Sequence, residues 1–544
     1  MRNMMDHMKI TAQSCPFAAL ALVIVLFAAC QPAFSQAPAL AQPGLALTPP
    51  MGWASWNRFF CDYNDQNIRD QADALVSSGM RDLGYRYVLI QECLTLGRNA
   101  DGSLIVDPKR FPQGMKALVD YVHSRGLKAG TYTDIGVNTC AGKPYQGSYQ
   151  YEDQDAATFA AWGMDFIEMD YCNRPTGVTG RSVYERMAAA IRKTGRPMIF
   201  YICSQGSERP WTWAQDKAQL WRTDDDISGV KNHVDWASVV KNFESNAAHA
   251  AFNAPNSWND PDMIEVGNQG MTPEEAQSHF SMWVISAAPL WAGNDLATMN
   301  EADRAIYTNT EAIAIDQDPL GAGAEKVKEY GHGIEVWMKP LGSIGSGVDA
   351  VMLLNLNAEP ADASVQWSDL GLSGKVAVRD LWAHKDLGTF PSSYTTRLPA
   401  HGSVLLKVSG EYDWTRGATY EAEWPGNIRG GNVDLIVCPD CSRGYAVSLH
   451  GFDPGYTVST LAFTHVGVPQ SGKYWITLDY VNSIYEDKTL QMRVNESHFV
   501  DFKLPRSGYG FARIQLDLNK GDNSIEFRYA GNGSVDIDRL AVSQ

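Results

Sequence analysis

The hydrophobic pattern between residues 50 and 320 repeats one two-part unit eight times. Each unit opens with a short apolar run that ends in polar or acidic residues, and a longer amphipathic segment follows. The runs lie at 51–57, 85–92, 127–134, 164–171, 197–204, 220–227, 257–264 and 288–295. Short buried strands that alternate with helical segments predict an α/β fold, here a (β/α)8 TIM barrel.

After the eighth unit the pattern changes to strict alternation. Stretches such as GIEVWMKPL and DAVMLLNLN are apolar at every second position, which predicts a small antiparallel β domain over 325–408. Residues 409–417 are predicted to be a linker, and more short alternating strands over 418–544 predict a C-terminal β-sandwich. The barrel itself is placed at 45–324.

Residues 1–35 are predicted to be a signal peptide. Arg2 and Lys9 precede the apolar run 17–29, which is short for a membrane span and fits the central part of an export signal, with cleavage near Ser35. The letters FAAC also resemble a bacterial lipoprotein box, so lipidation of Cys30 is a second hypothesis. We therefore expect an exported protein, periplasmic or extracellular, with no transmembrane segment.

Charge and cysteine content narrow the class of protein. The net charge of −17 argues against nucleic acid or an anionic membrane as a partner. Export makes disulfides the default state of the seven cysteines beyond the leader, and an odd number leaves one thiol over. CPDC at 438–441 predicts a short local disulfide, because no second Cys/His pair follows it to complete a zinc site.

The predicted barrel strands end in polar side chains, at the face where such barrels have their active sites. Glu168 and Asp170 lie two residues apart on one strand, so their carboxylates point to the same side. Two carboxylates across a pocket are what cleavage of a glycosidic bond needs, although spacing does not say which two. The full set of polar strand ends is Trp56, Gln91, Glu92, Asp134, Glu168, Asp170, Ser204, Arg222, Asp226, Asp260 and Asp262. It contains no histidine, which disfavours a metal-dependent hydrolase.

Residues 48 to about 321 resemble glycoside hydrolase family 27, the family of α-galactosidases and α-N-acetylgalactosaminidases. The resemblance is carried, in order, by TPPMGWASWNRFFC, DPKRFPQGMKALVDYVHSRGLKAGTYTDIG, TFAAWGMDFIEMDYC, WNDPDMIEVGN and AIDQDPLG. It implies a retaining exo-glycosidase that releases terminal α-galactosyl groups from oligo- or polysaccharides by double displacement. It also implies that catalysis needs no cofactor.

Position by position, the resemblance implies Asp170 as the nucleophile and Asp226 as the acid/base. Asp224 shares a strand face with Asp226, which leaves the second assignment ambiguous. The resemblance further implies sugar contacts from Trp56, Tyr132, Arg222 and Asp262. It implies the disulfides Cys61–Cys93 and Cys140–Cys172, with Cys203 as the leftover thiol.

Three positions depart from the family pattern, and all three normally contact the 4- and 6-hydroxyls of the sugar. Gln91 and Glu92 stand where the family usually has two Asp, and Glu168 stands where it usually has Lys. A change from Lys to Glu replaces a donor-only cation with an acceptor. Beside Asp170, Glu168 also tends to raise a carboxyl pKa.

These departures leave other sugars open as alternatives. Glu92 could fill the space of a hydroxymethyl group, as in family members that take β-L-arabinopyranose, or the sugar could be a gluco sugar, as in isomalto-dextranases. Small residues at Ser204 and Ser207 resemble the N-acetylgalactosaminidase branch. A non-catalytic carbohydrate-binding protein is the remaining alternative, and the retention of both candidate catalytic acids argues against it.

The C-terminal sandwich resembles carbohydrate-binding modules of family 35, through YEAEW at 420–424 and VDIDRLAV at 535–542. Such a module would hold the enzyme near a polysaccharide. The resemblance implies a structural Ca²⁺ that is bound by acidic residues from both ends of the module. Calcium prefers oxygen ligands such as carboxylates. The candidate ligands are Glu421, Glu423 and Asp536.

Overall fold

A computed structural model describes residues 44–544 except 228, 231–232, 332, 452–457 and 483–485. The predicted signal peptide and Cys30 lie outside the described residues. Within them, no helix combines the length and the apolar character needed to cross a membrane.

Eight parallel strands form the predicted barrel domain, hydrogen-bonded in the order β7-β6-β5-β4-β3-β2-β1-β8. The strands are β1 Met51–Ala54, β2 Tyr87–Ile90, β3 Lys128–Asp134, β4 Phe166–Asp170, β5 Ile199–Cys203, β6 Leu220–Arg222, β7 Trp258–Asp260 and β8 Leu290–Ala292. An isolated parallel bridge between Ile264 and Ala292 lies between the two ends of this sheet. All eight predicted strands are confirmed, each shorter than its apolar run.

Helices flank the sheet, and side chains cap several of them. They are α1 Asp65–Ser77, α2 Gly114–Ser124, α3 Glu152–Trp162, α4 Gly180–Lys193, α5 Trp236–Ala247, α6 Pro273–Ile285, α7 Glu301–Tyr307 and α8 Thr310–Asp316. Capping boxes begin α1, at Asn64, and α6, at Thr272, which satisfies backbone N–H groups that lack helical partners.

One barrel unit departs from the expected alternation. Between β5 and β6 the chain forms no α-helix, only a 3₁₀ turn at Pro210–Thr212. The connecting sequence SQGSERPWTWAQDKAQ has no apolar stripe of helical period, and Pro210 has no backbone N–H to donate.

The second domain is a six-stranded antiparallel sheet in the order β9-β10-β11-β16-β13-β14, with a separate pair β12-β15. Its strands are β9 Glu325–Glu329, β10 Ile334–Pro340, β11 Val348–Asn355, β12 Ala361–Gln366, β13 Leu372–Asp380, β14 Lys385–Phe390, β15 Ser393–Leu398 and β16 Ser403–Tyr412. Because β16 continues to Tyr412, it takes up the first part of the predicted linker 409–417.

The C-terminal module consists of two antiparallel sheets, β19-β20-β27-β22-β25 with β17 beside β27, and β18-β21-β26-β23-β24. Its strands are β17 Ala418–Glu421, β18 Ile428–Gly430, β19 Val433–Val437, β20 Tyr445–His450, β21 Ser459–Val468, β22 Gly472–Val481, β23 Lys488–Val494, β24 Val500–Leu504, β25 Tyr509–Leu518, β26 Gly521–Tyr529 and β27 Ser534–Ser543. The predicted sandwich is confirmed.

The module packs directly on the barrel. The indole N–H of Trp424 donates to the Asn253 carbonyl at 2.9 Å, and that of Trp211 donates to the Tyr445 hydroxyl at 3.1 Å. The rings of Phe252 and Tyr445 meet edge to face, with centroids 5.1 Å apart. Aromatic and hydrogen-bond contacts therefore hold the module in one orientation on the barrel.

Candidate active site

One pocket opens at the carboxyl ends of the barrel strands and collects most of the predicted site. Its volume is about 200 Å³, below the roughly 300–1,000 Å³ of drug-sized pockets, which suits a single sugar ring. The predicted residues that line it are Trp56, Gln91, Glu92, Tyr132, Glu168, Asp170, Arg222, Asp226, Asp260 and Asp262.

Strand β4 builds the centre of this pocket from alternate residues. Phe166, Glu168 and Asp170 lie on one face, and Phe166 packs against the rings of Tyr201 and Trp291, which line the pocket. Its centroid lies 5.2 Å from that of Trp291 and 6.0 Å from that of Tyr201. The two carboxylates therefore stand above an apolar layer that keeps water from beneath them.

Both oxygens of Asp170 accept a hydrogen bond. The Tyr132 hydroxyl donates to Oδ2 at 2.8 Å, and the backbone N–H of Tyr171 donates to Oδ1 at 2.7 Å. Burial raises the pKa of Asp170 to about 7, and these two hydrogen bonds oppose the rise because they favour the ionised form. Asp170 is thus half-buried, oriented and ionisable near neutral pH.

Arg222 joins two other acids at the pocket. Its Nη2 lies 3.1 Å from Asp226 Oδ1, and its Nη1 lies 3.3 Å from Asp262 Oδ1. The Asp226 side chain is 62% exposed, so it can reach both solvent and a leaving group. Burial raises the pKa of Asp262 to about 6, and Arg222 opposes that rise.

Asp224 points away from the pocket. Its carboxylate lies 2.9 Å from the Lys241 ammonium, and it is absent from the pocket lining. Asp226 lines the pocket instead. The geometry therefore favours Asp226 over Asp224 as the second catalytic carboxylate.

Gln91 and Glu168 form a hydrogen-bonded pair on neighbouring walls. Gln91 Nε2 donates to Glu168 Oε2 at 2.7 Å, while Gln91 Oε1 accepts from the Trp56 backbone N–H at 3.0 Å. Burial, and after it the charge of Asp170, raises the pKa of Glu168 well above its usual range. Gln91 therefore both lines the pocket and holds the Glu168 carboxyl group by a hydrogen bond.

Glu92 lies at the start of a loop with left-handed backbone. Its φ is 56°, an uncommon value outside glycine, and Cys93 has the same φ. The Tyr63 hydroxyl contacts the Gln91 carbonyl at 2.8 Å and the Glu92 carbonyl at 2.6 Å, and the Ala141 N–H donates to Glu92 Oε1 at 2.9 Å. These contacts hold a conformation that the local sequence disfavours.

Ser204 is placed differently from the other predicted residues. It is fully buried, its hydroxyl donates to the Ser207 carbonyl at 3.0 Å, and it is not part of the pocket lining. The next side chain, Gln205, lines the pocket instead and approaches Asp226 Oδ1 at 3.4 Å.

The predicted disulfides Cys61–Cys93, Cys140–Cys172 and Cys438–Cys441 are present, and Cys203 is free and buried as expected. Cys140 Sγ lies 3.2 Å from Asp170 Oδ2, but as a disulfide sulfur it has no proton to donate. The Cys140–Cys172 bridge therefore forms an apolar wall beside Asp170.

Several lining residues escaped the sequence argument. Asn57 follows Trp56 in a one-turn helix and donates to the buried Glu265 carboxylate, a contact between distant parts of the chain. Tyr201 and Trp291 could have been found from strand alternation, because each lies on a barrel strand on the same face as the acids. The others are Ala54, Leu89, Gln205 and Met263, and Cys203, expected only as a free thiol, lines the pocket too.

Metal-ligand geometry is sparse in the part of the chain that the structure describes. The single group of three ligand atoms within 4.8 Å of one another is Asp134, Cys140 and Cys172. Its two sulfurs form a disulfide and offer no thiolate.

One predicted calcium ligand, Asp536, has a different partner from the other two. Asp536 accepts from the Ser448 hydroxyl at 2.6 Å, whereas Asp538 is the acid that lies beside Glu421 and Glu423. Ser442 Oγ lies 2.6 Å from both Glu421 Oε2 and Asp538 Oδ1. A β-bulge between β22 and β27 makes Asp538 the extra residue, which changes the side to which it points.

Comparison with known proteins covers the barrel and the second domain. The model of the family "Alpha galactosidase A" matches residues 48–318, and "Alpha galactosidase C-terminal beta sandwich domain" matches 331–408. Alpha-galactosidase A of Cellvibrio japonicus is 42% identical over 382 residues, 67% of this chain and 93% of that protein.

Two solved structures share the architecture. Alpha-galactosidase I of Mortierella vinacea superposes with a TM-score of 0.64 at 34% identity, covering 68% of this chain and 99% of that one. The Saccharomyces cerevisiae α-galactosidase, solved with raffinose, has a TM-score of 0.62 at 26% identity and covers 69% of this chain and 100% of that one.

Proposed function

The chain belongs to the alpha-galactosidase A family of glycoside hydrolases, and we propose that it releases terminal α-galactosyl groups from oligosaccharides as a retaining exo-glycosidase. We assign Asp170 as the nucleophile and Asp226 as the acid/base. One observation carries the assignment: both carboxylates line the same one-ring pocket, where Asp170 is half-buried and accepts two hydrogen bonds and Asp226 lies at the solvent side.

The chemistry runs in two displacements. A carboxylate oxygen of Asp170 attacks the anomeric carbon while the glycosidic bond breaks, and Asp226 gives its proton to the departing oxygen. This step leaves a glycosyl ester on Asp170 and an ionised Asp226. Asp226 then takes a proton from water, whose oxygen attacks the same carbon, and Asp170 leaves as a carboxylate. Two inversions give net retention.

The neighbouring residues divide the remaining work. Tyr132 stabilises the ionised form of Asp170 before attack and after release. Arg222 holds Asp226 and Asp262 in place, and Asp262 is fixed further by the backbone N–H groups of Ile227 and Met263, both at 2.7 Å. Trp56 and the Cys140–Cys172 bridge form walls of the pocket.

A change of preferred sugar within the family is the second candidate. It is favoured by the Gln91–Glu168 pair, which puts a buried acceptor where the family usually has a cationic donor. A sugar that offers a hydroxyl donor to Glu168 would gain from this arrangement. β-L-Arabinopyranose, an isomalto-type gluco sugar and N-acetylgalactosamine remain the sugars to compare.

Initial rates of the purified protein on nitrophenyl glycosides test the proposal. The set holds the α-galactoside, the α-N-acetylgalactosaminide, the β-L-arabinopyranoside and the α-isomaltoside. We expect the α-galactoside to be cleaved fastest and Asp170→Ala to lower kcat by about a thousandfold or more. A faster rate on another sugar would favour the second candidate. Sugar binding without cleavage of any substrate would support the non-catalytic alternative.

We also propose export directed by residues 1–35 and a structural Ca²⁺ in the C-terminal module. Three disulfides among the described residues support export to an oxidising compartment.

Glu423 supports the proposed calcium ion, because it is fully buried and neither of its carboxylate oxygens has a hydrogen-bond partner among the described residues. Glu421, Glu423 and Asp538 would supply its oxygen ligands, and their carboxylates would have to draw closer around the ion, since they do not all lie within 4.8 Å of one another.

A further inference from the structure

A second, smaller cavity adjoins the pocket. Its volume is about 10 Å³, and Glu92 and Tyr132 line both spaces, so these two side chains form the wall between them. Most of the other cavity walls are apolar or aromatic, among them Leu94, Phe159 and Trp162.

Three of the residues that line this cavity each carry a buried polar atom without a partner. Glu92 Oε2, Thr131 Oγ1 and Thr139 Oγ1 have no hydrogen-bond partner among the described residues. The three residues are 2%, 1% and 5% exposed. Leaving a buried polar group unpaired costs about 1–3 kcal/mol, so three such atoms facing one small space call for a shared partner.

We propose that this cavity binds one water molecule, which donates to Glu92 Oε2 and accepts from the hydroxyls of Thr131 and Thr139. A buried water needs about 10–15 Å³ and two to four polar partners, and the cavity offers both. A calcium or magnesium ion needs six or more oxygen ligands, which the three atoms do not supply.

The water makes Thr131 and Thr139 positioning residues for Glu92. The Ala141 N–H holds Oε1 of this carboxylate at 2.9 Å, and the water holds Oε2, so the carboxylate is fixed from both sides. Thr139 and Ala141 lie in the same loop, which ties that loop to the pocket wall. The positioning role of the two threonines rests on the proposed function, in which Glu92 contacts the sugar.

Crystallography tests the site without any assay of activity. In a crystal structure at about 1.8 Å or better, we expect one density peak about 2.7–3.0 Å from each of the three oxygens. Absence of a peak, while other buried waters are ordered, would overturn the proposal. So would a peak with contacts near 2.4 Å, which would identify a metal ion.

Kinetics tests the role in positioning. Thr131→Val with Thr139→Val removes both hydroxyls at nearly constant volume, and we expect KM for the best nitrophenyl glycoside to rise about three- to tenfold while kcat changes less. Thr133→Val is the matched control, because its hydroxyl bonds Ser148 at 2.6 Å and should leave KM unchanged. An unchanged KM in the double variant would contradict the positioning role.

If the double variant does not fold, the single Thr139→Val, which lies in a loop and not in a barrel strand, takes its place. Loss of all cleavage in Asp170→Ala tests the proposed function separately. The water density in the wild-type crystal remains informative even if the enzyme prefers an unexpected sugar.

Discussion

Gln91 Nε2 donates to Glu168 Oε2 at 2.7 Å, and the orientation of that amide is set elsewhere, by the Trp56 backbone N–H that donates to Gln91 Oε1 at 3.0 Å. The two departures from the family pattern therefore complement each other. An acceptor at 168 needs a donor at 91, whereas a lysine at 168 would meet the amide hydrogens of Gln91.

This complementarity predicts strong coupling between the two positions. We expect Glu168→Lys alone to lower kcat/KM at least tenfold, because Lys and the Gln91 amide would both be donors. Adding Gln91→Asp should restore part of the loss. A double-mutant cycle measures the coupling, which we expect to exceed about 1 kcal/mol. Additive effects would show that the pair is not a unit; Glu168→Gln controls for the loss of the carboxyl group itself.

The Tyr132 hydrogen bond predicts a pH effect. Asp170 must be ionised to attack, and the bond from Tyr132 lowers its pKa, which burial raises to about 7. Tyr132→Phe should therefore raise this pKa and move the acid limb of kcat/KM to higher pH by about one to two units. Tyr171→Phe is the control, because Tyr171 bonds Asp170 through its backbone and Glu208 through its hydroxyl. Equal shifts in both variants would refute this explanation.

Asp226 and Asp224 offer a comparison of neighbouring acids. Asp226→Ala should slow cleavage of an oligosaccharide such as raffinose by about a thousandfold and a nitrophenyl glycoside less, since nitrophenolate leaves without a proton. Asp224→Ala removes the pair with Lys241, worth about 0–1 kcal/mol, and hydrogen bonds from the Asp225 backbone N–H and Ser245, none of them at the pocket, so rates should stay within about twofold. The reverse order of effects would reassign the acid/base to Asp224.

Asp349 predicts how stability depends on pH. Burial raises its pKa from 3.8 to about 7, so the folded state holds a proton that the unfolded chain releases near pH 4. Its contribution to stability is complete below about pH 4 and is lost as the pH rises towards 7, at about 1.4 kcal/mol per pH unit. Asp349→Asn should flatten the change in Tm between pH 5 and pH 7, measured by calorimetry. A slope identical to wild type would show that the carboxyl is solvated.

The calcium proposal predicts a specific thermal shift. Millimolar Ca²⁺ should raise the Tm of the chelator-treated protein by several degrees, because an ion that binds only the folded state stabilises it. Glu423→Gln should abolish the shift. Asp536→Asn should keep it, because Asp536 bonds Ser448 and lies away from the cluster. Loss of the shift in Asp536→Asn instead would restore Asp536 as a ligand.

Local pattern was enough to predict the architecture. The eight apolar runs, the change to alternating residues after 325 and the i, i+2 placement of Glu168 and Asp170 are properties of neighbouring residues, because strand and helix periods are set by the backbone. The missing helix between β5 and β6 is the exception. Its sequence lacks an apolar stripe, but a repeat of eight units suggested a helix there.

Contacts between distant segments decided the rest. Lys241, on α5, decides that Asp224 points away from the pocket while Asp226 lines it. A bulge in the pairing of β22 with β27 decides that Asp538 joins Glu421 and Glu423.

Gln91 and Glu92 are adjacent in sequence but bind different partners. Gln91 donates to Glu168, whereas Glu92 accepts from the Ala141 N–H, and the sequence did not predict this difference. The sequence by itself determined which chemical groups reach the mouth of the barrel, because alternation along each strand is local. Only the tertiary structure decided which of those groups pair with one another, because hydrogen bonds and ion pairs depend on distances across the fold.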